Sequence, residues 1–262
     1  MYVGPHIPQD NLKVYLDITN PDCYQANNIV DPIADDVKLY NLADRTYIDY
    51  FYNDYNTEAY QETVTPTVSP LIVLQHNTRE GGSNRDTTWV GINGTNATTT
   101  IVNRVLSYTF ICWFKFDNVN QQSENIYGGG FDSRLSFYIS SGGTSESSAV
   151  LVYSGAGSAN AFTADMSSTI NDGNWHMRAF TITGPTTGVT TCKTYVDGNY
   201  SANRSSNSSF VAPTDGTMRW GSWTSTYGNM GGQLNGFMYY EKVLSDNEIK
   251  QVYNATKKKY GV

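Results

Sequence analysis

Apolar and polar positions alternate with a period of two in short runs spread along the chain, and that period predicts strands. Leu12, Val14 and Leu16 alternate with Lys13, Tyr15 and Asp17, giving a first strand with one apolar face. The run from Leu106 to Phe116 is apolar on both sides, with Tyr108, Phe110, Cys112, Phe114 and Phe116 set against Ile111 and Trp113. A strand of that kind belongs in the middle of a sheet covered on both faces. Further strands are predicted at Leu135–Ile139, Ala149–Tyr153, Trp175–Thr183, Thr191–Val196 and Leu234–Tyr240. Gly142-Gly143, Asp172-Gly173 and Asp197-Gly198 supply turn chemistry between or after them. Only the last segment changes period. Ser245 and Glu248 form an S-x-x-E capping box, and Ile249, Val252 and Tyr253 then fall on one helical face. Many short strands, Gly-rich turns and one helix predict an all-β, two-sheet antiparallel sandwich with a short C-terminal helix.

Composition narrows the class. The 262 residues are 39% hydrophobic and 16% charged, with 20 Tyr and 23 Gly, a balance that suits short strands and polar loops. This length fits one domain over residues 1–262, carrying an irregular Tyr-rich insertion around 40–90. Within it, the aromatics of Tyr47 to Tyr60 are expected to form a packed flap. The formal net charge of −7 argues against a nucleic-acid partner, because neutralising phosphates takes clustered Lys and Arg. The one basic run, Lys257-Lys258-Lys259, sits where cations favour the end of a helix dipole. No apolar run approaches the length of a membrane span, so no membrane insertion is expected. The opening residues, M-Y-V-G-P-H-I-P-Q-D, lack the basic and apolar regions of a signal peptide. Cys23, Cys112 and Cys192 lie far apart without C-x-x-C spacing, which predicts free thiols and folding in a reducing cytosol.

Several segments resemble the concanavalin A-like, laminin-G-like jelly-roll domains. L-K-V-Y-L-D followed by Asn20-Pro21 is similar to the "L-V-L-Y-L-D-A-x-N-P" opening of laminin-G-like proteins in phage genomes. Gly91 to Asn96 resembles the "F-D-G-T-N-D" hairpin, Asp172 to His176 the "D-G-x-W-H" strand start, and Lys193 to Gly198 the "K-L-Y-V-D-G" hairpin. Met218 to Gly221 stands where the family has "x-x-I-G", and Gln233 to Tyr253 resembles its closing strand and helix. The chain departs from the family at Tyr40 to Arg45, where "W-x-D-L-S-G-N" is usual. The resemblance implies a concanavalin A-like jelly roll. That family spans lectins, glycosidases and virion proteins, so fold alone does not settle function.

The chemistry of glycoside cleavage is missing. Retaining glycosidases of this fold carry E-x-D-x-x-E on a strand, with carboxyls about 5 Å apart, and no such spacing occurs here. Asp35-Asp36 are adjacent, and neighbouring strand residues point to opposite faces. Neither H-E-x-x-H nor G-x-S-x-G is present, and His176 of the W-H dipeptide reads as structural. The chain is therefore not expected to be an enzyme or to need a cofactor. Asp117, Asn118, Glu124 and Asp132 flank Gly128-Gly129-Gly130 as an oxygen-rich neighbourhood but match no calcium-loop motif, and no metal is expected. Six N-x-[ST] sequons read as products of an Asn/Ser/Thr-rich surface.

For ligand binding, Trp223, Tyr227 and Asn229 share one late loop, S-W-T-S-T-Y-G-N, and Asp132 adds a carboxylate. An aromatic covers a sugar's apolar face while amides and carboxylates bond its hydroxyls. Packing of Trp223 beneath the loop or against a neighbouring subunit in a homo-oligomer is the competing role. The phage-type opening, reduced cysteines and absent catalytic residues lead to a first expectation. It is a non-enzymatic virion structural protein on the particle exterior, a capsid decoration or tail-associated piece, partnered by virion proteins and adhering to host-surface glycans. The alternative is a free carbohydrate-binding lectin module.

Overall fold

The computed structural model describes residues 6–17, 19–23, 40–44, 107–115, 172–184, 191–201 and 235–262 with their side chains, and otherwise the backbone of the strands. The strands run β1 (Leu12–Leu16), β2 (Leu39–Tyr40), β3 (Tyr47–Ile48), β4 (Tyr50–Asp54), β5 (Thr57–Glu62), β6 (Leu71–His76), β7 (Thr87–Ile92), β8 (Ser107–Phe116) and β9 (Glu124–Phe131). They continue with β10 (Leu135–Ser141), β11 (Ser147–Ser154), β12 (Ser158–Asp165), β13 (His176–Thr183), β14 (Thr190–Val196), β15 (Asn199–Ser206), β16 (Met218–Trp220) and β17 (Gly232–Tyr240). Helix α1 (Asp246–Thr256) follows and tightens into a 3-10 turn at Lys257–Tyr260. An eight-stranded sheet has the order β15-β14-β13-β8-β17-β6-β5, with β1 also paired to β17. A seven-stranded sheet has the order β12-β11-β10-β9-β16-β7-β4, and β2 pairs β3 separately. The ladders are antiparallel, as the all-β jelly-roll expectation requires.

The two chain ends pair in one sheet. Leu12 faces Tyr240 and Leu16 faces Phe237 across the β1–β17 ladder. β17 changes partner along its length, pairing β6 at Gly232–Leu234 and β1 beyond Gly236. The change is made at a register shift between Asn235 and Met238, where Gly236 has φ +61. A Cβ there would lie 2.6 Å from the Tyr260 hydroxyl and 2.9 Å from Trp113, so only glycine fits. Asn235 steadies the bend, accepting the Gly236 N–H at 2.7 Å and donating to Thr19 Oγ1 at 2.8 Å.

The predicted two-sided strand is β8. Trp113 and Phe114 are both fully buried, on opposite faces. On one face Ile111 and Trp113 join Met177, Ala179, Tyr195, Met238 and Tyr240 under Ile249, Val252 and Tyr260 of the C-terminal segment. Trp113 stacks on Tyr260 with centroids 4.1 Å apart and on Tyr253 at 5.8 Å, and its indole N–H donates to Thr256 Oγ1 at 3.0 Å. On the other face Tyr108, Phe110, Cys112 and Phe114 lie with Phe180, Phe237 and Tyr239, each at most 1% exposed. That face is the core between the sheets.

The capping box forms as its sequence predicts. Glu248 N–H donates to Ser245 Oγ at 3.3 Å, and Ser245 N–H donates to Glu248 Oε2 at 2.8 Å. Lys242 bonds Glu248 at 2.8 Å and Asp10 at 3.1 Å, and Tyr240 donates to the Pro8 carbonyl, so the helix start and the strand before it are tied to the N-terminal segment. The basic run does more than complement a helix dipole: Lys259 makes an ion pair with Asp17, which is 8% exposed at the end of β1.

One expectation changes. The stretch around residues 40–90, read as irregular, supplies β4 and β7 to one sheet and β5 and β6 to the other. Its Tyr and Thr residues are good strand formers that lack a clean period of two. Gly128-Gly129-Gly130, which the oxygen-rich neighbourhood of Asp117, Asn118, Glu124 and Asp132 flanks in sequence, lies inside β9, with Gly129 and Gly130 opposite Phe137 and Ser136 of β10.

Candidate functional site

Trp223, Tyr227, Asn229 and Asp132 lie outside the described residues. Their anchoring strands are described, and segment 221–231 runs from β16 in the seven-stranded sheet to β17 in the eight-stranded one. Asp132 follows Phe131, which pairs with Met218 at the start of β16, whereas 221–231 leaves from its end. Asp117 and Asn118 of the oxygen-rich neighbourhood also lie outside the described residues.

The described polar groups concentrate at the turns flanking β13 and β14. His176 opens β13 and is held between two carboxylates, with Nδ1 2.9 Å from Asp197 and Nε2 3.0 Å from Asp172. Asp197 also accepts the Met177 N–H at 2.9 Å through its other oxygen, and Asp172 accepts the Asn174 N–H at 2.8 Å. Carboxylates facing both ring nitrogens suit the imidazolium, which donates from both. Burial opposes the charged form, but the bonds to Asp197 and Asp172 outweigh it and raise His176 above its ordinary 6.5. Partial burial of Asp172 is likewise outweighed by bonds from Asn174 and His176, which lower it below 3.8. The cluster is a clamp joining two turns, in keeping with a structural His176. Both Asp197 oxygens and Asp172 Oδ1 are bonded within the fold, which is what a clamp requires.

The second cluster is an open corner on the outer face of the eight-stranded sheet. Asp197 (φ +49) and Gly198 (φ +73) make the tight turn that Asn-, Asp- and Gly-bearing hairpins favour, joining β14 to the edge strand β15. A Cβ on Gly198 would sit 2.7 Å from Tyr253 Cβ, so the turn packs directly on α1. Beyond that contact Tyr200 projects with 52% of its surface exposed, the one large aromatic so open among the described residues. Tyr195 meets it in a T-shaped contact at 6.1 Å, and Lys193 Nζ stands 6.0 Å from its ring centre. Asp246 accepts from the Tyr195 hydroxyl at 2.8 Å and pairs with Lys193 at 3.6 Å through the same oxygen, Oδ1. Lys250 holds the exposed Asn199 side chain at 2.8 Å. Sequence reading passed over Tyr200 because N-Y-S after D-G looks like any hairpin. The cue is a large aromatic two residues past the turn, on a strand with few other apolar side chains.

Other chemistries have no described support. Cys23, Cys112 and Cys192 are free and buried, and burial pushes each thiol up to about 12, far from a reactive thiolate. Among the described residues no three His, Cys, Asp or Glu side chains gather as a metal site.

Comparison with known proteins places this geometry. Residues 84–250, more than half the chain, match the model of the concanavalin A-like lectin/glucanases superfamily. No curated protein matches in sequence. Among solved structures, the binding domain of Paraclostridial Mosquitocidal Protein 1 aligns with a TM-score of 0.61 at 13% identity, over 94% of this chain and 52% of that one. Domain 4 of the extracellular GH43 arabinanase AbnA from Geobacillus stearothermophilus, solved with arabinotriose, aligns at 0.57 and 10% identity, over 93% and 98%. The binding domain of botulinum neurotoxin DC in complex with SialylT aligns at 0.58 and 13% identity, over 94% and 51%. The chain spans about half the length of the toxin structures it matches.

These findings correct the virion expectation. The similar structures are toxin binding domains and a glycosidase domain, so the phage-type recognition, the virion partners and the particle-surface location are overturned. The physical reason is that the phage-type opening encodes strand β1 and its turn, which any member of the fold needs, while buried thiols and absent catalytic motifs suit any binding domain of this fold. They say nothing of where the fold is used. On the span and specificity of the family match, the chain belongs to the concanavalin A-like lectin/glucanases superfamily.

Proposed function

We propose that this chain is a non-enzymatic carbohydrate-binding module of the lectin type, acting on glycans outside the cell. The observation that carries the reading is the alignment, over nearly the whole of both chains, with a domain solved with an oligosaccharide. Similar toxin structures support it in kind, since one binding domain was solved with SialylT and the cell entry of botulinum neurotoxin type C depends on interaction with two ganglioside molecules. The missing glycosidase motif agrees with binding without cleavage. In this reading Trp223, Tyr227 and Asn229, carried between the two sheets, contact sugar, with Asp132 as a neighbouring acceptor. Loops held by packed sheets keep their tips free for recognition.

The test is a glycan array followed by calorimetry, with arabinotriose included as a defined probe. Saturable binding without release of shortened sugars is expected, and Trp223→Ala with Tyr227→Ala is expected to weaken it. A folded protein that binds no glycan overturns the reading. Binding unchanged in the double variant removes the 221–231 segment from it.

A further inference from the structure

The corner around Tyr200 combines three features that seldom coincide at a sheet edge. Its aromatic ring is half open, polar side chains surround the ring, and those side chains are already fixed in place. Cross-strand pairing with Tyr195 explains why an aromatic is tolerated here. Pairing does not call for a ring this open, since Tyr195 in the same ladder is 1% exposed. Asp246 holds Tyr195 and Lys193 through one carboxylate oxygen, and its Oδ2 takes no bond among the described residues. Lys193 keeps 43% of its side chain open and Asp246 61%. Lys250 fixes the Asn199 amide beside them.

From this arrangement we infer that Tyr200, framed by Lys193 and Asp246, is a second sugar-binding subsite that takes a ring of a neutral oligosaccharide. The inference rests on the carbohydrate-binding reading and names a site for it. The C–H face of a sugar ring is apolar and slightly positive, so it stacks on the electron-rich face of an aromatic ring. Tyrosine offers that area at low entropic cost, having few rotatable bonds to freeze. Asp246 Oδ2 accepts from a hydroxyl, and Lys193 donates to one. Because Lys193 and Asp246 are already held by neighbours, little ordering is left to oppose binding.

Charge sets the class of sugar. The charged pair nearest the ring, Lys193 with Asp246, sums to zero and gives no preference for an anionic sugar over its neutral counterpart. Tyr200 lies on β15, four strands across the sheet from β17, roughly 19 Å at ordinary inter-strand spacing. A glycan chain or glycan-dense surface that engages this subsite together with another on the same module gains avidity.

The test uses the full chain and the strongest neutral oligosaccharide from a glycan array, titrated by calorimetry against wild type, Tyr200→Ala and Tyr200→Phe. The expected result is at least about tenfold weaker binding for Tyr200→Ala, with Tyr200→Phe within about threefold because the ring remains. Melting temperature and far-ultraviolet circular dichroism check folding. If Tyr200→Ala melts early, Tyr200→Leu keeps apolar bulk without the π face and makes the same comparison. Wild-type binding with Tyr200→Ala inside twofold overturns the subsite and leaves the carbohydrate reading standing. Preference for a sialylated glycan over its neutral counterpart, lost in Tyr200→Ala, overturns the neutral class. No binding by wild type overturns the reading on which the subsite rests.

Discussion

On the outer face of the eight-stranded sheet Tyr195 and Tyr200 are cross-strand neighbours, yet one is 1% exposed and the other 52%. The difference is the footprint of α1. Asp246, the first residue of the helix, receives the Tyr195 hydroxyl, and from there Ile249, Val252 and the 3-10 turn cover the sheet as far as Trp113 and Tyr260. On the far side of Asp246 the same sheet face is uncovered around Tyr200. The cap at Ser245 therefore decides where closed packing stops and an accessible surface starts. Trp113 under the helix buries its area and satisfies its polar end on Thr256. The aromatic beyond it has area to offer a partner.

The sharpest way to break this comparison is to attack the closed half. Trp113→Ala removes a fully buried ring, two stacking partners and a hydrogen bond, and is expected to cost about 3–5 kcal/mol in urea unfolding. It should also loosen α1, seen as faster amide exchange over 246–256. A loss below about 1 kcal/mol would show that the helix is not anchored through Trp113. Gly198→Ala tests the boundary itself. A positive φ costs a non-glycine residue about 1–2 kcal/mol, and here the new Cβ also meets Tyr253. Destabilisation of at least about 2 kcal/mol is expected, and a neutral substitution would mean that the turn does not pack on α1.

A smaller effect sharpens the account through pH. His176 titrates above 6.5 when folded, so its contribution is complete below 6.5 and fades as pH rises through the folded value. Asp172 is lowered below 3.8, so its share is present above 3.8 and fades as pH falls through the folded value. The clamp is fullest between those limits. Wild type should lose about 0.5–1 kcal/mol on alkaline titration from 6.5 that His176→Gln does not lose. Parallel curves for the two proteins would show that the clamp contributes nothing.

Much of the closed half was legible from the chain because its signals are local or periodic. The S-x-x-E cap, the two-sided β8 run and the D-G turns each lie within a few residues and take the forms expected. The Asp17–Lys259 ion pair joins residues 242 apart in sequence, and no local pattern announces it. Tyr, Thr and Gly mask the period of two in β4, β5 and β7, and β6 opens on four consecutive apolar residues, Leu71 to Leu74, with no alternation to read. The open corner was missed for a different reason. Whether Tyr200 is buried or exposed depends on how far α1 reaches, which is a property of packing and not of the N-Y-S sequence. Attention went instead to Trp223, whose loop stands out by composition alone. The virion expectation failed because motifs that encode a fold were taken to encode a location.

The most direct test of the central claim, that this module binds carbohydrate beyond the edge of α1, is an amide titration by nuclear magnetic resonance. Labelled protein is titrated with the strongest neutral oligosaccharide from the array. The account predicts saturable shifts at Lys193, Tyr195, Asn199, Tyr200 and Asp246, while the buried Trp113 indole signal stays fixed. Binding that leaves those five amides unmoved, or a spectrum unchanged at saturating sugar, would contradict it.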